Sequence, residues 1–398
     1  MFLNDDRTPA FAGGTPVLDQ PFRFIQPTIP PLDDVLNIYR PAYAQGVLTN
    51  ADIVRRFESA TAERLGVHHC IAVSSCTSGL MLVLRSLDLA GEVIVPSFTF
   101  FASGHAIAWN GLTPVFADID RESWTVDPAD IERLITPRTS AILAVHMYGN
   151  PCSVDRLSEI AAKHGLKLIF DAAHAFGSRC GGRPIGQFGD AEVFSLSPTK
   201  LLVAGEGGIV ATNDATLAHR IRAGRNYGDL GAYDPEVLGL NARMTEFNAA
   251  LGLAGLTLVD LKLKRHNQIA RAYTEMLSGV PGLSFQSIRD EDTHTYKDYS
   301  VLVDAAALGM SRDDLAIALR AENIETKKYF YPPLHRQVLY RDYYDSSRHN
   351  LKHTNTVSEG VLSLPVYESL SDEIVETIGH AISRIASYQT QPVSAGRN

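Results

Sequence analysis

The sequence predicts an α/β protein built on a mostly parallel sheet with helices over both faces. Three observations carry this. Short apolar runs alternate with amphipathic stretches of helical period through the first two-thirds of the chain. Most of those runs are apolar throughout, the pattern of strands buried on both faces. At 398 residues the chain is long enough for one large core and a smaller appendage.

Residues 1–25, rich in Pro, Gly and Asp, read as an irregular N-terminal arm. A large domain then spans 26–262. In it "NADIVRRFESATAERLG" reads as a helix with Asn50 as N-cap, apolar residues at Ile53, Val54 and Phe57, and a stop at Gly66. "HCIAVS" is a strand and "SGLMLVLRSL" the helix that follows it. "EVIVPS" leads into the helix "FASGHAIAWNG", closed by Gly111. "TPVFADID" and "SAILAVHMYG" are strands, and "SVDRLSEIAAKHG" is a helix. "LKLIFDAA", "AEVFSLS" and "GGIVAT" bring the strands to seven. From about 245 the pattern changes. "TEFNAALGLAGLTLVDLKLKRHNQIARAYTEML" reads as one long helix leading into a smaller C-terminal α+β domain at 263–388. There "YKDYSVLVDA" is strand-like, and "SRDDLAIALRAEN" is a helix capped by Ser311 with acidic residues in its first turn. A last helix covers about 371–387, and residues 389–398 read as a flexible tail.

Composition excludes several functions. A net charge of −9 and the absence of a dense Lys/Arg cluster argue against nucleic-acid binding. "LKLKRH", Leu261 to His266, reads as the solvated face of a helix. The four cysteines are scattered without a CxxC pair, so neither a metal site nor a disulfide framework is expected. No apolar run is long enough for a membrane span, and the N-terminus does not resemble a signal peptide. A reducing cytoplasm is the expected location.

Ligands of open α/β sheets sit at the carboxyl ends of the strands, and four such ends carry suggestive residues. "VSSCTSGL" runs from a strand into a helix start, where small residues and free amides suit a phosphate. "VPSFTFF" offers aromatics that can stack on a flat ring. "LIFDAAHAFG" puts Asp171 at the end of an apolar strand, where a buried carboxylate needs a partner, with His174 three residues on. "FSLSPTK" places Ser195 and Lys200 just past another strand, before Gly205, Gly207 and Gly208. Each has a plain structural reading as well: a capped helix, core packing, a helix-capping Asp, a surface lysine. Together they match what pyridoxal 5′-phosphate requires: an anion cradle, a stacking face, a carboxylate for the ring nitrogen and a lysine for the aldehyde.

These motifs, with "GVLTNADIVRRFE", "PVFADID", "VHMYGNPC", "GEGG", "GLNARMTEFNAALGL", "YPPLH" and "LSLPV", resemble the DegT/DnrJ/EryC1/StrS aminotransferases, from about Phe22 to Ile385. The resemblance implies the type I fold of pyridoxal-phosphate-dependent transferases. It implies that Lys200 forms the Schiff base with the cofactor and later moves protons, and that Asp171 pairs with the ring nitrogen. His174 matches the position near the ring hydroxyl. Phe100 matches the stacking aromatic, with Phe98 the competing choice. Cys76 and Thr77 match the phosphate loop, and Ser195 a further phosphate ligand. Asn241 matches a residue that reaches the phosphate of a neighbouring subunit, which implies a homodimer.

The implied reaction moves an amino group from L-glutamate, through pyridoxamine phosphate, to a keto group of a nucleotide-linked deoxysugar. Arg243, Lys327, Lys328 and His335 are candidates for the nucleotide's negative charge. The chain departs from the family at Cys76, where glycine is usual, at Ala51, and at Leu201 and Val203, which make the segment after Lys200 more apolar. A sister branch of dehydratases carries histidine at the lysine position, so Lys200 argues against that branch. Two alternatives stand beside the sugar aminotransferase: the same chemistry on a carbocyclic ketone, and a non-catalytic regulatory homologue, which the intact Lys200, Asp171 and Ser195 disfavour. A nicotinamide-binding domain is excluded because no GxGxxG follows the first strand.

Overall fold

The computed structural model describes residues 8–390. Seven strands form the main sheet: β1 (His69–Val73), β2 (Glu92–Pro96), β3 (Thr113–Ala117), β4 (Thr139–Val145), β5 (Lys167–Asp171), β8 (Ala191–Ser195) and β9 (Gly208–Thr212). Their order is β1-β9-β8-β5-β4-β2-β3. The β2–β3, β2–β4, β4–β5 and β5–β8 pairs are parallel, while β9 runs antiparallel to both of its neighbours. Between β5 and β8 a two-stranded hairpin, β6 (Arg179–Cys180) and β7 (Arg183–Pro184), stands apart.

Alternation along each strand divides the core into two layers. Ile94, Val115, Ile142 and Phe170 meet α1 (Leu32–Ala44), α2 (Asp52–Leu65), α5 (Pro128–Leu134), α6 (Val154–His164) and α8 (Glu246–Gly255) through Val35, Phe57, Ile131, Leu157 and Ala249. Val93, Phe116, Leu143 and Ile169 meet α3 (Cys76–Ser86), α4 (Phe101–Trp109) and α7 (Ala215–Gly224) through Leu80, Ile107 and Leu217.

A third core lies around the antiparallel sheet β10 (Leu283–Phe285), β11 (Tyr299–Val303) and β12 (Val361–Leu364). It holds buried residues of α9 (Val259–Leu277), α11 (Arg312–Ala321) and α13 (Asp372–Thr390). The short α10 (Ala305–Leu308) follows β11, and α12 (Lys352–Gly360) leads into β12. The arm packs here too: Phe11, Leu18 and Phe22 touch this core. The buried Glu322 carboxylate accepts the Ala10 and Val17 N–H groups at 2.8 and 2.9 Å. Residues 1–7 of the arm and 391–398 of the tail lie outside the described residues, and α13 continues through Thr390, beyond the expected end near 387.

Three local expectations need correction. The long helical stretch after 245 is two helices, α8 and α9, joined by a tight turn at Leu256–Leu258. Asn50 does not cap α2: it takes φ +52°, and no side chain of that loop caps the helix. The Glu246 carboxylate does so from a distance, accepting the N–H groups of Ala51, Ile53 and Val54 at 2.8, 2.8 and 3.3 Å. A carboxylate at a helix N-terminus also meets the positive end of the dipole. Lastly, "LKLKRH" is not wholly solvated. Lys262 and His266 are buried, and the Lys262 Nζ donates to the Thr28 and Leu201 carbonyls at 2.6 and 3.0 Å. Ser311 caps α11 as expected.

Glu92, at the start of β2, shows how charge supports this sheet. Its buried carboxylate accepts two bonds from Arg348 (3.0 and 2.7 Å) and one from Thr136 (2.9 Å), and pairs with Arg138. The Arg348 bonds hold its pKa down to about 2, against burial. A depressed carboxylate stabilises the fold above its unfolded value and loses that contribution as pH falls through the folded one. About 3 kcal/mol of stability is therefore expected to disappear between roughly pH 5 and pH 2. Urea midpoints measured against pH should show this slope, and Glu92→Gln should flatten it. An equal slope in the variant would refute the assignment.

Candidate active site

Seven of the side chains singled out in the sequence, Cys76, Thr77, Phe100, Asp171, His174, Ser195 and Lys200, converge at the carboxyl ends of β1, β2, β5 and β8, on a cavity of about 390 Å³. At the end of β1, Ser75 caps α3: its hydroxyl accepts the Ser78 N–H, and the Ser78 hydroxyl accepts the Ser75 N–H, each at 3.1 Å. The first amides of a helix have no partner within it, and Cys76 and Thr77, the first residues of α3, line the cavity. Ser195 and Ser197 line it too, with hydroxyls 3.4 Å apart. Gly208 permits this arrangement, because a Cβ there would lie 2.7 Å from the Cys76 nitrogen. The Cβ of Cys76 itself is accommodated at an ordinary helical position, with the thiol buried 3.9 Å from Asp171 Oδ1.

Asp171 ends β5 and is buried. Its Oδ2 accepts the Ser103 hydroxyl at 2.7 Å, and its Oδ1 accepts the Ala173 N–H at 3.1 Å. Burial pushes its pKa up, while Ser103, Ala173 and Lys200 pull the other way. A cation placed against such a carboxylate would favour its charged form.

His174 accepts the Tyr148 N–H on Nδ1 at 3.2 Å. Burial, with Lys200 and Lys297 adding to it, depresses its pKa well below the ordinary value. The neutral ring therefore carries its proton on Nε2, as the bonding geometry assigns it.

Lys200 follows a turn in which its N–H donates to the Ser197 carbonyl at 3.0 Å. Its side chain lines the cavity, partly buried. Lost hydration, and then the nearby Lys297 ammonium, lower its pKa from the ordinary lysine value to about 8, so roughly a tenth of the amine is uncharged at pH 7.

The structure separates the two competing aromatics. Phe98 is fully buried, edge-on to Tyr148 and Phe330, whereas Phe100 is 44% exposed and lines the cavity. It does not bring the proposed nucleotide contacts to the cavity. His335 is buried, with Nδ1 2.7 Å from the Ser97 hydroxyl and a pKa lowered by burial to about 4. Lys327 pairs with Glu325 at 2.6 Å and Lys328 with Asp313 at 2.7 Å, and both line a separate groove beside α11. Arg243 donates to Asn226 at 2.7 Å and stacks on Tyr227. Asn241 is exposed and outside the cavity. Sequence reading missed Ser197, Ser103, Lys297, Tyr329 and Phe330. "TKKYFYPPLH" did mark the right segment, but its aromatics, not its lysines, reach the cavity.

The family profile of the DegT/DnrJ/EryC1/StrS aminotransferases matches residues 34–383. The chain belongs to this family. It is similar to the dTDP-4-amino-4,6-dideoxy-D-glucose transaminase of Escherichia coli, 35% identical over 362 residues, covering 90% of this chain and 97% of that one. GDP-perosamine synthase of Escherichia coli O157:H7 is 36% identical over 347 residues, covering 86% and 92%. Among solved structures, DesI in the presence of its TDP-sugar product superposes with a TM-score of 0.89 at 38% identity, over 95% of this chain and 96% of that one. The fold is thus that of the type I pyridoxal-phosphate-dependent transferases, and the chain is an aminotransferase. The residues present fit the cofactor: free amides and hydroxyls for a phosphate, a buried carboxylate for a pyridinium, and an amine of lowered pKa, all on one cavity.

Proposed function

We propose that this aminotransferase moves an amino group from L-glutamate to a keto group of a nucleotide-linked deoxysugar. The observation that carries the chemistry is the shared cavity of Lys200 and Asp171, with the start of α3 on its wall. The nucleotide sugar is supported by the relatives' own substrates as their names give them. Bound pyridoxal phosphate would supply an aldehyde and an electron sink, with pyridoxamine phosphate as its aminated form.

The chain's residues do the rest. The Cys76 and Thr77 amides and the Ser195 and Ser197 hydroxyls hold the phosphate. Asp171 would keep the ring nitrogen protonated, His174 would hold the ring hydroxyl through its Nε2–H, and Phe100 would offer a stacking face. Lys200, on the same cavity, would be the group that bonds the cofactor and the base that holds and moves the substrate's proton. Asn241 reaches the phosphate of a second subunit. Four free, buried thiols suit the reducing cytoplasm.

In the test, cofactor-loaded protein is mixed with L-glutamate, and 2-oxoglutarate is counted before any acceptor is added. One equivalent per cofactor is expected, followed by amination of a keto sugar on dTDP, GDP or UDP, seen by mass spectrometry. No 2-oxoglutarate would remove the donor. Turnover of carbocyclic ketones, with none of nucleotide sugars, would replace the acceptor.

A further inference from the structure

A second amine stands in the cavity wall. Lys297 lies in the bend before β11 and is 5% exposed. Its N–H donates to the Tyr148 carbonyl at 3.0 Å, its Nζ donates to Asp298 Oδ1 at 2.8 Å, and it lies 5.4 Å from the centre of the Tyr329 ring. These anchors fix a side chain that is ordinarily mobile. Behind the wall is a void of about 10 Å³, bordered by His266, Tyr367 and Glu368. Lys200, Lys297 and Thr199 line both spaces, so the two amines share one partition.

Like charges repel strongly where water is excluded. Lys297 has a carboxylate at 2.8 Å and an aromatic face to hold its charge. Lys200 has no carboxylate within ion-pair distance among the described residues; the ion pair at this wall is Lys297–Asp298. We propose that Lys297 is a positioning residue for Lys200: its ammonium, held by Asp298 in the shared wall, repels a second positive charge and keeps the Lys200 amine in its uncharged, nucleophilic form. This rests on reading Lys200 as the lysine that bonds the cofactor.

Several other groups face Lys200: Asp171 and His174 from the end of β5, Cys76 from α3, and His266 and Glu368 across the small void. Asp171 and Asp298 favour charge on Lys200, and Lys297 opposes it, as does burial. Glu368 is engaged elsewhere, by His266 at 3.4 Å and Lys262 at 3.7 Å.

The test reads Lys200 directly, in the full chain before cofactor is added. Trace acetic anhydride is applied across a pH series, and acetylation of the Lys200 peptide is measured against that of the exposed Lys264. The wild-type amine is expected to titrate near 8. Lys297→Met should raise that midpoint by about one unit or more, and Lys297→Arg should keep it near the wild-type value. Asp298→Asn, which leaves the Lys297 charge unbalanced, should lower it. A purely structural role would not give opposite signs in these variants. Should Lys297→Met fail to fold, Lys297→Arg and Asp298→Asn still decide. An unshifted midpoint in Lys297→Met, or a shift of the same sign in Asp298→Asn, overturns the proposal. If the midpoints move as expected but no variant, and not the wild type either, captures the cofactor, the reading of Lys200 falls and the coupling stands.

Discussion

Lys200→Ala should lose transamination by at least about 10⁴-fold, the upper range of what a positioned proton-transfer group contributes. Two functions vanish together: the covalent anchor and the base that moves the proton. The rest of the cavity should survive, because the α3 amides, Ser195 and Asp171 are placed by other elements. The variant should therefore still bind the cofactor, without a covalent link. Borohydride reduction followed by peptide mapping checks this: wild-type protein should carry the cofactor on the peptide containing Lys200, and the variant on no lysine. Lys200→Arg should fail equally, because a guanidinium stays protonated and cannot condense with an aldehyde. Activity within tenfold of wild type in either variant would remove Lys200 from the chemistry.

Asp171→Asn should lower kcat by about 10²–10³-fold, the scale of losing one preorganised electrostatic partner, with a smaller effect on cofactor retention. The amide keeps the size of the side chain and can still accept the Ser103 hydroxyl, which donates to Asp171 at 2.7 Å. It cannot keep a ring nitrogen protonated. The measurement is single-turnover 2-oxoglutarate release, set beside thermal unfolding. A large loss of stability with unchanged single-turnover rate would make Asp171 a structural residue. The contrast with Glu92 is instructive. Both carboxylates are buried, but Arg348 and Arg138 pair with Glu92, and its pKa falls to about 2. Asp171 makes no ion pair among the described residues, and its pKa rises. The first is satisfied by cations of its own chain, and the second suits the charged ring nitrogen proposed above.

The candidate site was legible where residues take their place from the end of a strand. Lys200, Asp171, Ser195 and the start of α3 each lie next to a short apolar run, and strand ends are where such sheets bind ligands. Asp171 stood out as a charge closing the apolar stretch Leu168–Phe170. Lys297 carried no such mark. It precedes β11, a strand of the small sheet, and nothing near it in sequence says that the Tyr148 carbonyl draws it to the wall of a distant cavity. His335 shows the opposite case. Beside "YPP" it looked available to a substrate, and Ser97, 238 residues away, holds its ring in the interior.

The seven strands of the large sheet, several of the helices between them and the residues at the strand ends were legible in local pattern. These rest on hydrophobic periodicity and on the neighbours of each residue, which any stretch of chain displays. That Phe100 and not Phe98 faces the cavity, that Glu246 caps α2, and that Lys297 and Lys200 share a wall emerges from the folded chain alone. Those outcomes depend on burial and charge between segments far apart in the chain. A side chain's partner there is set by how the layers stack, and no local pattern encodes it.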